Sequence, residues 1–186
     1  MCETPDERSP DRSALAARIR DAAYLEGDFT LSSGLKSKYY LDKYLFETDP
    51  VLLRDIARAM AGLLPERFDR LAGVELGGVP LATTLALETG KPFIIVRREA
   101  KAHGTARDFE GTLNPGDRLI LVEDVLTTGA QAIAAARRLE QAGAKVIKVI
   151  YVVDRQQGAA ENIARAGYEP AYLFTSEDLG IHKTPV

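Results

Sequence analysis

The chain of 186 residues carries 24 Lys and Arg against 27 Asp and Glu, a formal net charge of −3, and 46% of its residues are apolar. An acidic chain of this composition is not a general nucleic-acid binder, because a basic surface supplies most of the affinity for a phosphate backbone. Cys2 is the only cysteine, which excludes an intrachain disulfide.

The N-terminus and the apolar stretches bear on location and on domain count. Residues 1–11 contain no apolar run of the kind that a signal peptide needs. The longest apolar stretches are strand-sized, shorter than the roughly 18 residues of a membrane span. We therefore expect a cytoplasmic protein with no membrane partner. We also expect residues 1–12 to form a flexible tail and residues 13–186 a single domain, since a chain of this size buries enough surface for one core.

Capping and periodicity signals in the first third of the chain predict a helix, a hairpin and a second helix. Each helix starts with a side chain that can cap free amides, followed by a proline, which suits the first helical position. The predicted elements are a helix from Ser9-Pro10 to Gly27, strands at residues 29–31 and 39–41, and a helix from Asp49-Pro50 to near Pro65.

Short apolar runs then alternate with helical segments. Runs without alternating polarity are typical of strands that are covered on both faces. This pattern predicts an α/β fold, a mostly parallel sheet flanked by helices, with the N-terminal helix and hairpin as an extension. The predicted strands are at residues 71–74, 93–96, 119–122 and 146–153, and the helices are near residues 80–88 and 130–142.

The stretch after the third of these strands is the most informative in the chain. The strand runs into Glu123 and Asp124, and a Thr-Thr-Gly sequence at residues 127–129 precedes a helix. In open parallel sheets, ligands bind beyond the carboxyl ends of the strands, where a helix N-terminus offers free amides to a phosphate. Glycine lets the backbone approach an anion, and the acids can accept hydrogen bonds from sugar hydroxyls. The pattern therefore suits a ligand that contains both phosphate and ribose.

Other interpretations of these motifs stay open. Glu123 and Asp124 can simply cap the following helix. A Walker B acid is a second alternative, but the chain has no Gly-x-x-x-x-Gly-Lys-Ser/Thr loop to go with it. Gly77 and Gly78 follow a strand, yet their spacing is not the Gly-x-Gly-x-x-Gly of a dinucleotide site.

A basic loop stands out in this acidic chain. Residues 97–107 contain four Lys or Arg residues and one Glu, a local charge of +3. The connection to the next clear strand is about 16 residues long, which exceeds the usual connection length. Long loops of this kind often act as lids. A solvated surface is the alternative, but the position beside the phosphate-binding strand favours an anion site.

Residues 121–129, Leu-Val-Glu-Asp-Val-Leu-Thr-Thr-Gly, resemble the phosphoribosyl-pyrophosphate (PRPP) signature of type I phosphoribosyltransferases. The resemblance implies that the two acids hold the ribose hydroxyls and that the Thr-Thr-Gly loop holds the 5′-phosphate. It also implies the fold of that family, a mostly parallel sheet flanked by helices with an N-terminal helix-and-hairpin hood.

The basic loop resembles the flexible catalytic loop of orotate phosphoribosyltransferases, whose pattern is Arg-Lys/Arg-x-x-Lys-x-His-Gly. Arg97, Arg98, Lys101 and His103 match this pattern. The resemblance implies that the loop closes over pyrophosphate, and it implies a homodimer in which residues 97–111 reach the neighbouring subunit's site. Positive charge suits this task, because donors placed in advance stabilise the negative charge that develops on the leaving group.

Three further stretches are similar to the same family. Residues 29–34 with 37–40 resemble its orotate-binding hairpin, Arg155 matches an arginine that pairs with the orotate carboxylate, and residues 75–80 match a loop whose amides contact pyrophosphate. A guanidinium suits a carboxylate because two parallel charge-assisted hydrogen bonds can form. The implied site residues are Lys101, His103 and Asp124 for catalysis; Arg97, Arg98, Lys101, His103, Gly77, Gly78, Glu123, Asp124, Thr127, Thr128 and Gly129 for PRPP; and Ser32, Tyr39, Tyr40, Thr127 and Arg155 for orotate.

The reaction implied by the resemblance is transfer of phosphoribosyl from PRPP to orotate in pyrimidine (UMP) biosynthesis. It gives orotidine 5′-monophosphate and pyrophosphate, and Mg²⁺ binds mainly through PRPP with no protein ligand assigned. Ser32 and Gly77 depart from the pattern, since many bacterial members carry lysine there, and Gln131 replaces a small hydroxyl residue. A purine phosphoribosyltransferase and a non-catalytic PRPP-binding regulator stay open as alternatives.

Overall fold

The computed structural model describes residues 11–30, 36–98 and 108–181. Six helices and eight strands lie within these residues. In chain order they are α1 (Arg12–Ala23), β1 (Tyr24–Thr30), β2 (Lys36–Leu41), α2 (Lys43–Glu47), α3 (Pro50–Ala61), β3 (Arg70–Val74), α4 (Gly78–Thr89), β4 (Phe93–Val96), β5 (Phe109–Glu110), β6 (Arg118–Leu126), α5 (Ala130–Gln141), β7 (Lys145–Asp154), α6 (Ala159–Arg165) and β8 (Glu169–Thr175).

Six strands form one sheet in the order β5-β4-β3-β6-β7-β8, and β1 pairs with β2 in a separate antiparallel hairpin. All neighbours in the large sheet run parallel except the short β5. One face of the sheet packs against an apolar cluster from α1 to α4, and the other face packs against α5 and α6. The predicted α/β fold, with a mostly parallel sheet flanked by helices, is confirmed.

The first helix differs from its predicted bounds at both ends. Asp11 is its N-cap, and the carboxylate accepts hydrogen bonds from the amides of Ser13 and Ala14 at 2.7 and 3.2 Å. The proposed cap Ser9 lies outside the described residues. At the other end, Tyr24 leaves the helix because it pairs with Leu41 in the hairpin, so the predicted stop at Gly27 is wrong and that glycine lies within β1.

The second predicted helix is confirmed as α3, with Asp49 as its N-cap and Pro50 as its first residue. It ends at Ala61, one turn before the predicted end near Pro65. The predicted strands correspond to β3, β4, β6 and β7, and the predicted helices to α4 and α5. The elements α2, β5, α6 and β8 were not predicted.

The chain changes direction between β3 and β6, which are neighbours in the sheet. From β3 it continues toward β4 on one side, and from β6 it continues toward β7 on the other. Such a switch point opens a crevice at the carboxyl ends of the two strands. In the part of the chain that the structure describes, no helix is long and apolar enough to cross a membrane.

Candidate active site

Two helix N-termini border the crevice between β3 and β6. Helix α4 begins after Gly77 and helix α5 begins after Gly129, and neither has a side-chain cap. Uncapped amides at a helix N-terminus carry a partial positive charge, which makes each end a site for an anion. Each of these two helix ends is therefore a candidate site for a phosphate group.

The loop before α5 is held in place on one side and open on the other. Thr127 and Thr128 are exposed, whereas Gly129 is buried and has a φ of +73°. A Cβ on Gly129 would lie 3.1 Å from the Ile163 side chain, so both space and backbone conformation require glycine. The carbonyl of Thr128 accepts a hydrogen bond from Asn162 Nδ2 at 2.9 Å, which fixes the loop with its hydroxyls toward solvent.

Glu123 and Asp124 both lie within β6, which continues to Leu126, so the prediction that the strand ends before the acids is wrong. Successive residues of a strand point to opposite faces of the sheet. Asp124 lies on the side of α2 and α4, where Lys43 Nζ donates to its Oδ2 at 2.5 Å. Burial, and then the charge of Asp124, raise the pKa of Glu123 well above its ordinary value.

The two glycines at the start of α4 allow close approach of the backbone to β6. A Cβ on Gly78 would lie 2.3 Å from the Val122 carbonyl oxygen. A Cβ on Gly77 would lie 1.8 Å from Asp124 Oδ2 and 2.4 Å from Glu47 Oε1. The side chains of Asp124 and Glu47 thus fill the space into which any side chain at position 77 would project.

Glu47 belongs to this group, although the sequence pattern did not indicate it. It is the last residue of α2 and is only 3% exposed. Burial, and then the charge and hydrogen bonding of Asp124, raise the pKa of Glu47 to about 8. For Lys43, burial alone would lower the pKa, but the charge of Asp124 and the hydrogen bond to it raise the pKa overall.

A cavity of about 430 Å³ lies beside the carboxyl end of β7 and is lined in part by Tyr39, Arg155 and Ser176. Arg155 Nη2 donates a hydrogen bond to the Tyr39 hydroxyl at 3.2 Å. The amide of Arg155 donates to the carbonyl of Leu126 at 2.9 Å, which ties this cavity to the loop before α5. The structure therefore brings Arg155, Tyr39 and the start of the Thr-Thr-Gly loop together.

Tyr40 occupies the opposite face of the hairpin from Tyr39. Its ring packs against Phe29 with 5.6 Å between the centroids, whereas the ring of Tyr39 stacks on Tyr24 at 5.7 Å. Among the described residues that line the cavity, Tyr39 is present and Tyr40 is not. Because side chains alternate along a strand, two adjacent tyrosines do not reach the same cavity.

The buried carboxylate of Asp154 fixes the turn that carries Arg155. Asp154 is 5% exposed, and its Oδ2 accepts a hydrogen bond from the Tyr151 hydroxyl at 2.6 Å. Its Oδ1 accepts from the amide of Gln156 at 2.6 Å. Burial, and then the hydrogen bond to Asp154, raise the pKa of Tyr151. The turn that carries Arg155 is thus fixed at both neighbouring positions, by contacts that the sequence did not reveal.

Arg97 and Arg98 follow β4, but their side chains face different partners. Arg97 pairs with Glu110 at 2.8 Å, and Nη2 of Arg98 donates to Gln131 Oε1 at 3.3 Å. Arg138 on α5 donates to the backbone carbonyls of both arginines, at 2.6 Å to Arg97 and 3.2 Å to Arg98. Gln131 and Arg138 therefore anchor the point where the basic loop leaves the sheet.

Three predicted site residues cannot be placed. Lys101 and His103 of the basic loop and Ser32 of the hairpin turn lie outside the described residues. Within the described residues, no group of three or more His, Cys, Asp and Glu side chains is arranged to hold a metal ion.

A family model described as phosphoribosyl transferase domain matches residues 46–166. The chain belongs to this family. Within it, the chain is 49% identical to the orotate phosphoribosyltransferase of Halobacterium salinarum over 164 residues, which are 88% of this chain and 93% of that protein. The resemblance to orotate phosphoribosyltransferases found in the sequence is confirmed.

Solved structures agree with this assignment. A crystal structure of Mycobacterium tuberculosis orotate phosphoribosyltransferase in complex with Fe(III) dicitrate has a TM-score of 0.82 at 36% identity, and the match covers 92% of this chain and 99% of that one. A structure of the same protein in complex with PRPP has a TM-score of 0.78 at 32% identity, with the same coverage. The type I phosphoribosyltransferase fold predicted from the sequence is confirmed.

Proposed function

We propose that this chain transfers phosphoribosyl from PRPP to N1 of orotate, giving orotidine 5′-monophosphate and pyrophosphate in pyrimidine biosynthesis. The observation that carries the proposal is the hydrogen bond from the Arg155 amide to the Leu126 carbonyl. This bond ties the turn that carries Arg155 to the end of β6, just before the Thr-Thr-Gly loop, and so supports a site in which base recognition adjoins sugar-phosphate binding. The names of the relatives support the same activity.

The crevice accounts for the binding of PRPP. The 5′-phosphate binds at the N-terminus of α5, where Thr127, Thr128 and Gly129 supply hydroxyls and amides. Asp124 accepts hydrogen bonds from the ribose hydroxyls, with Glu123 as the second acid of the signature. Pyrophosphate binds at the N-terminus of α4, which follows Gly77, begins at Gly78 and has no side-chain cap.

The cavity beside β7 accounts for recognition of the base. The guanidinium of Arg155 pairs with the orotate carboxylate, because its fork can form two charge-assisted hydrogen bonds. The ring of Tyr39 supports the flat pyrimidine, and Ser32 and Thr127 are proposed as polar neighbours. A base without a carboxylate leaves the Arg155 guanidinium without an anionic partner, so this residue selects for orotate over uracil and purines.

The chemistry is displacement at C1′ of the ribose from the face opposite the leaving group. Pyrophosphate gains negative charge as it departs, and Lys101 and His103 assist this departure while Arg97 and Arg98 hold the group. Among the described residues of the proposed site, no nucleophile has a base beside it, and we propose no covalent enzyme intermediate. Lys101→Ala is expected to lower turnover about 100-fold, and unchanged turnover would remove the loop from this mechanism.

The resemblance also supports a metal and an oligomeric state. Mg²⁺ binds mainly through the phosphates of PRPP, as is usual for this ion, and when bound it neutralises charge on pyrophosphate. We propose a homodimer in which residues 97–111 reach the neighbouring site. The cytoplasmic location stays a prediction.

The experiment that tests this function is pyrophosphate release from PRPP and Mg²⁺ with orotate, uracil, adenine and hypoxanthine in parallel. Release with orotate alone supports the transfer reaction and the role of Arg155. Release with a purine alone keeps the fold and refutes the substrate. Tight PRPP binding without release for any base indicates a PRPP-binding regulator.

A further inference from the structure

Three charged side chains meet at Gly77 and form what we call the Gly77 cluster, composed of Lys43, Glu47 and Asp124. Lys43 and Glu47 lie one turn apart on α2, and Asp124 comes from β6. Glu47 and Asp124 are 3% and 2% exposed, respectively, whereas the Lys43 side chain is 28% exposed. The cluster therefore contains two carboxyl groups and one ammonium in a space nearly closed to water.

Each carboxylate oxygen of Asp124 has a hydrogen-bond donor, whereas one oxygen of Glu47 has none among the described residues. Lys43 Nζ donates to Asp124 Oδ2, and the Val125 amide donates to Oδ1. Oε1 of Glu47 is buried and has no hydrogen-bond donor among the described residues. This oxygen and Asp124 Oδ2 both lie close to the position that a Cβ on Gly77 would occupy. Two ionised carboxyl groups in such a space repel each other, and a proton on one of them removes the repulsion and supplies a donor.

We propose that Glu47 is a positioning residue whose neutral carboxyl donates a hydrogen bond to Asp124 and, together with Lys43, holds the Asp124 carboxylate in place for the ribose hydroxyls of PRPP. This inference rests on the proposed function, in which Asp124 binds the ribose. The proton removes the repulsion between the two carboxyl groups and supplies the missing donor. Neither group can then turn away without leaving a buried oxygen unpaired.

The charges that face Glu47 from every side agree with this protonation state. Asp42 precedes it on the α2 side, and Asp124 and Glu123 approach it from β6, so three acids oppose its ionisation. Lys43 is the one cation that the described residues bring close enough to offset them. The pKa of about 8 follows from this balance and from burial.

The first arm of the test measures the proton directly. The carboxyl groups of glutamate are labelled with ¹³C in the full chain, and their signals are followed against pH in the wild type and in Glu47→Gln. We expect one signal, absent from the variant, to titrate near pH 8. A Glu47 signal that titrates near its ordinary value of 4.5 would overturn the proposal.

The second arm measures catalysis with PRPP as the varied substrate. Glu47→Leu keeps the side chain uncharged but removes the donor, and it is expected to lower kcat/KM for PRPP about tenfold or more, mainly through KM. Glu47→Gln restores the donor and is expected to recover most of this loss. It is also expected to abolish the fall in kcat/KM that we predict for the wild type above about pH 8, where Glu47 would ionise.

Glu169→Leu is the matched control, because its carboxylate is exposed and pairs only with Lys148 among the described contacts. A Glu47→Leu variant with the same kinetics as this control would contradict the proposal. The labelled wild type needs no substrate, so its titration decides the state of Glu47 even if orotate proves not to be the acceptor. Pyrophosphate release by the wild type decides the proposed function separately.

Discussion

Arg155 and Tyr39 are in direct contact, although 116 positions separate them in the chain. The guanidinium carbon lies 5.7 Å from the centroid of the ring, and Nη2 donates to the hydroxyl at 3.2 Å. The contact joins the carboxyl end of β7 to the hairpin. A cation and a flat ring thereby face one cavity, which is the arrangement that a planar carboxylate needs.

Removal of this guanidinium is expected to affect orotate and not PRPP. Arg155→Ala should lower kcat/KM for orotate about 100-fold, since it loses two charge-assisted hydrogen bonds, each of about 1.5–3 kcal/mol. Arg165→Ala is the control, because this arginine is exposed and its side chain bonds only to the carbonyl of Glu161 among the described residues. Steady-state kinetics with each substrate varied in turn would show the difference, and an unchanged KM for orotate would count against the assignment.

The hydrogen bond that holds Asp154, the residue before Arg155, can be tested separately. Tyr151→Phe removes the hydroxyl that donates to Asp154 and leaves a buried carboxylate oxygen without that donor. We expect a loss of about 1–3 kcal/mol in the free energy of unfolding, together with a several-fold rise in KM for orotate. Tyr172→Phe, on the neighbouring strand and 36% exposed, should change neither. Urea unfolding and orotate kinetics measure both effects, and stability equal to that of the control would contradict the prediction.

Gly77→Ala places a methyl group where Asp124 and Glu47 meet. With contacts of 1.8 and 2.4 Å to their oxygens, the added carbon must displace one of the carboxyl groups or the start of α4. We expect kcat/KM for PRPP to fall at least about tenfold, because the helix N-terminus and Asp124, the acid proposed to bind the ribose, would be displaced. Gly62→Ala has its nearest contact at 3.3 Å and serves as the control. Equal PRPP kinetics in the two variants would refute this account of Gly77.

The anchor of the basic loop lies on α5. Arg138→Gln loses two hydrogen bonds to the backbone carbonyls of Arg97 and Arg98. If closure of the loop assists pyrophosphate departure, kcat should fall by about tenfold while KM for orotate stays within about twofold. Arg137→Gln changes an exposed neighbour on the same helix. Rates measured under saturating substrate would show the difference, and a normal kcat in Arg138→Gln would separate this anchor from catalysis.

The stability of the protein should depend on pH through Glu47. Its pKa of about 8 exceeds the ordinary 4.5, so between these values the folded protein holds a proton that the unfolded chain has released. This contribution to stability is complete below about pH 4.5 and is lost as pH rises to about 8. Relative to Glu47→Gln, the wild type should therefore lose on the order of a few kcal/mol across this interval. A difference in the free energy of urea unfolding between the wild type and Glu47→Gln that stays the same at all pH values would contradict this prediction.

Local patterns were enough to predict the main strands, the start of α3 and the loop before α5. Asp49 caps α3 with its own side chain, and Pro50 suits the position that follows, so the signal and the structure lie within four residues. The stretch from Leu121 to Gly129 can likewise be interpreted from its own residues alone. Its strand, turn and helix N-terminus are consecutive, and the chemistry of each residue can be read in order.

Other features of the site depend on contacts between distant segments. The sequence did not distinguish Tyr39 from Tyr40, because only the pairing of β2 with β1 decides which ring faces the cavity. It did not indicate Glu47 either, since α2 is a helix of five residues whose burial depends on packing by later elements.

By itself, the sequence determined the main strands and helices along the chain, the loop proposed to bind phosphate and the family. These follow from hydrophobic runs, capping residues and short motifs, all of which act over a few neighbouring residues. Only the tertiary structure decided that Lys43, Glu47 and Asp124 share one buried space above Gly77. These groups interact because folding removes water from between them. Asp124 lies 77 positions from Glu47 in the chain and still farther from Lys43.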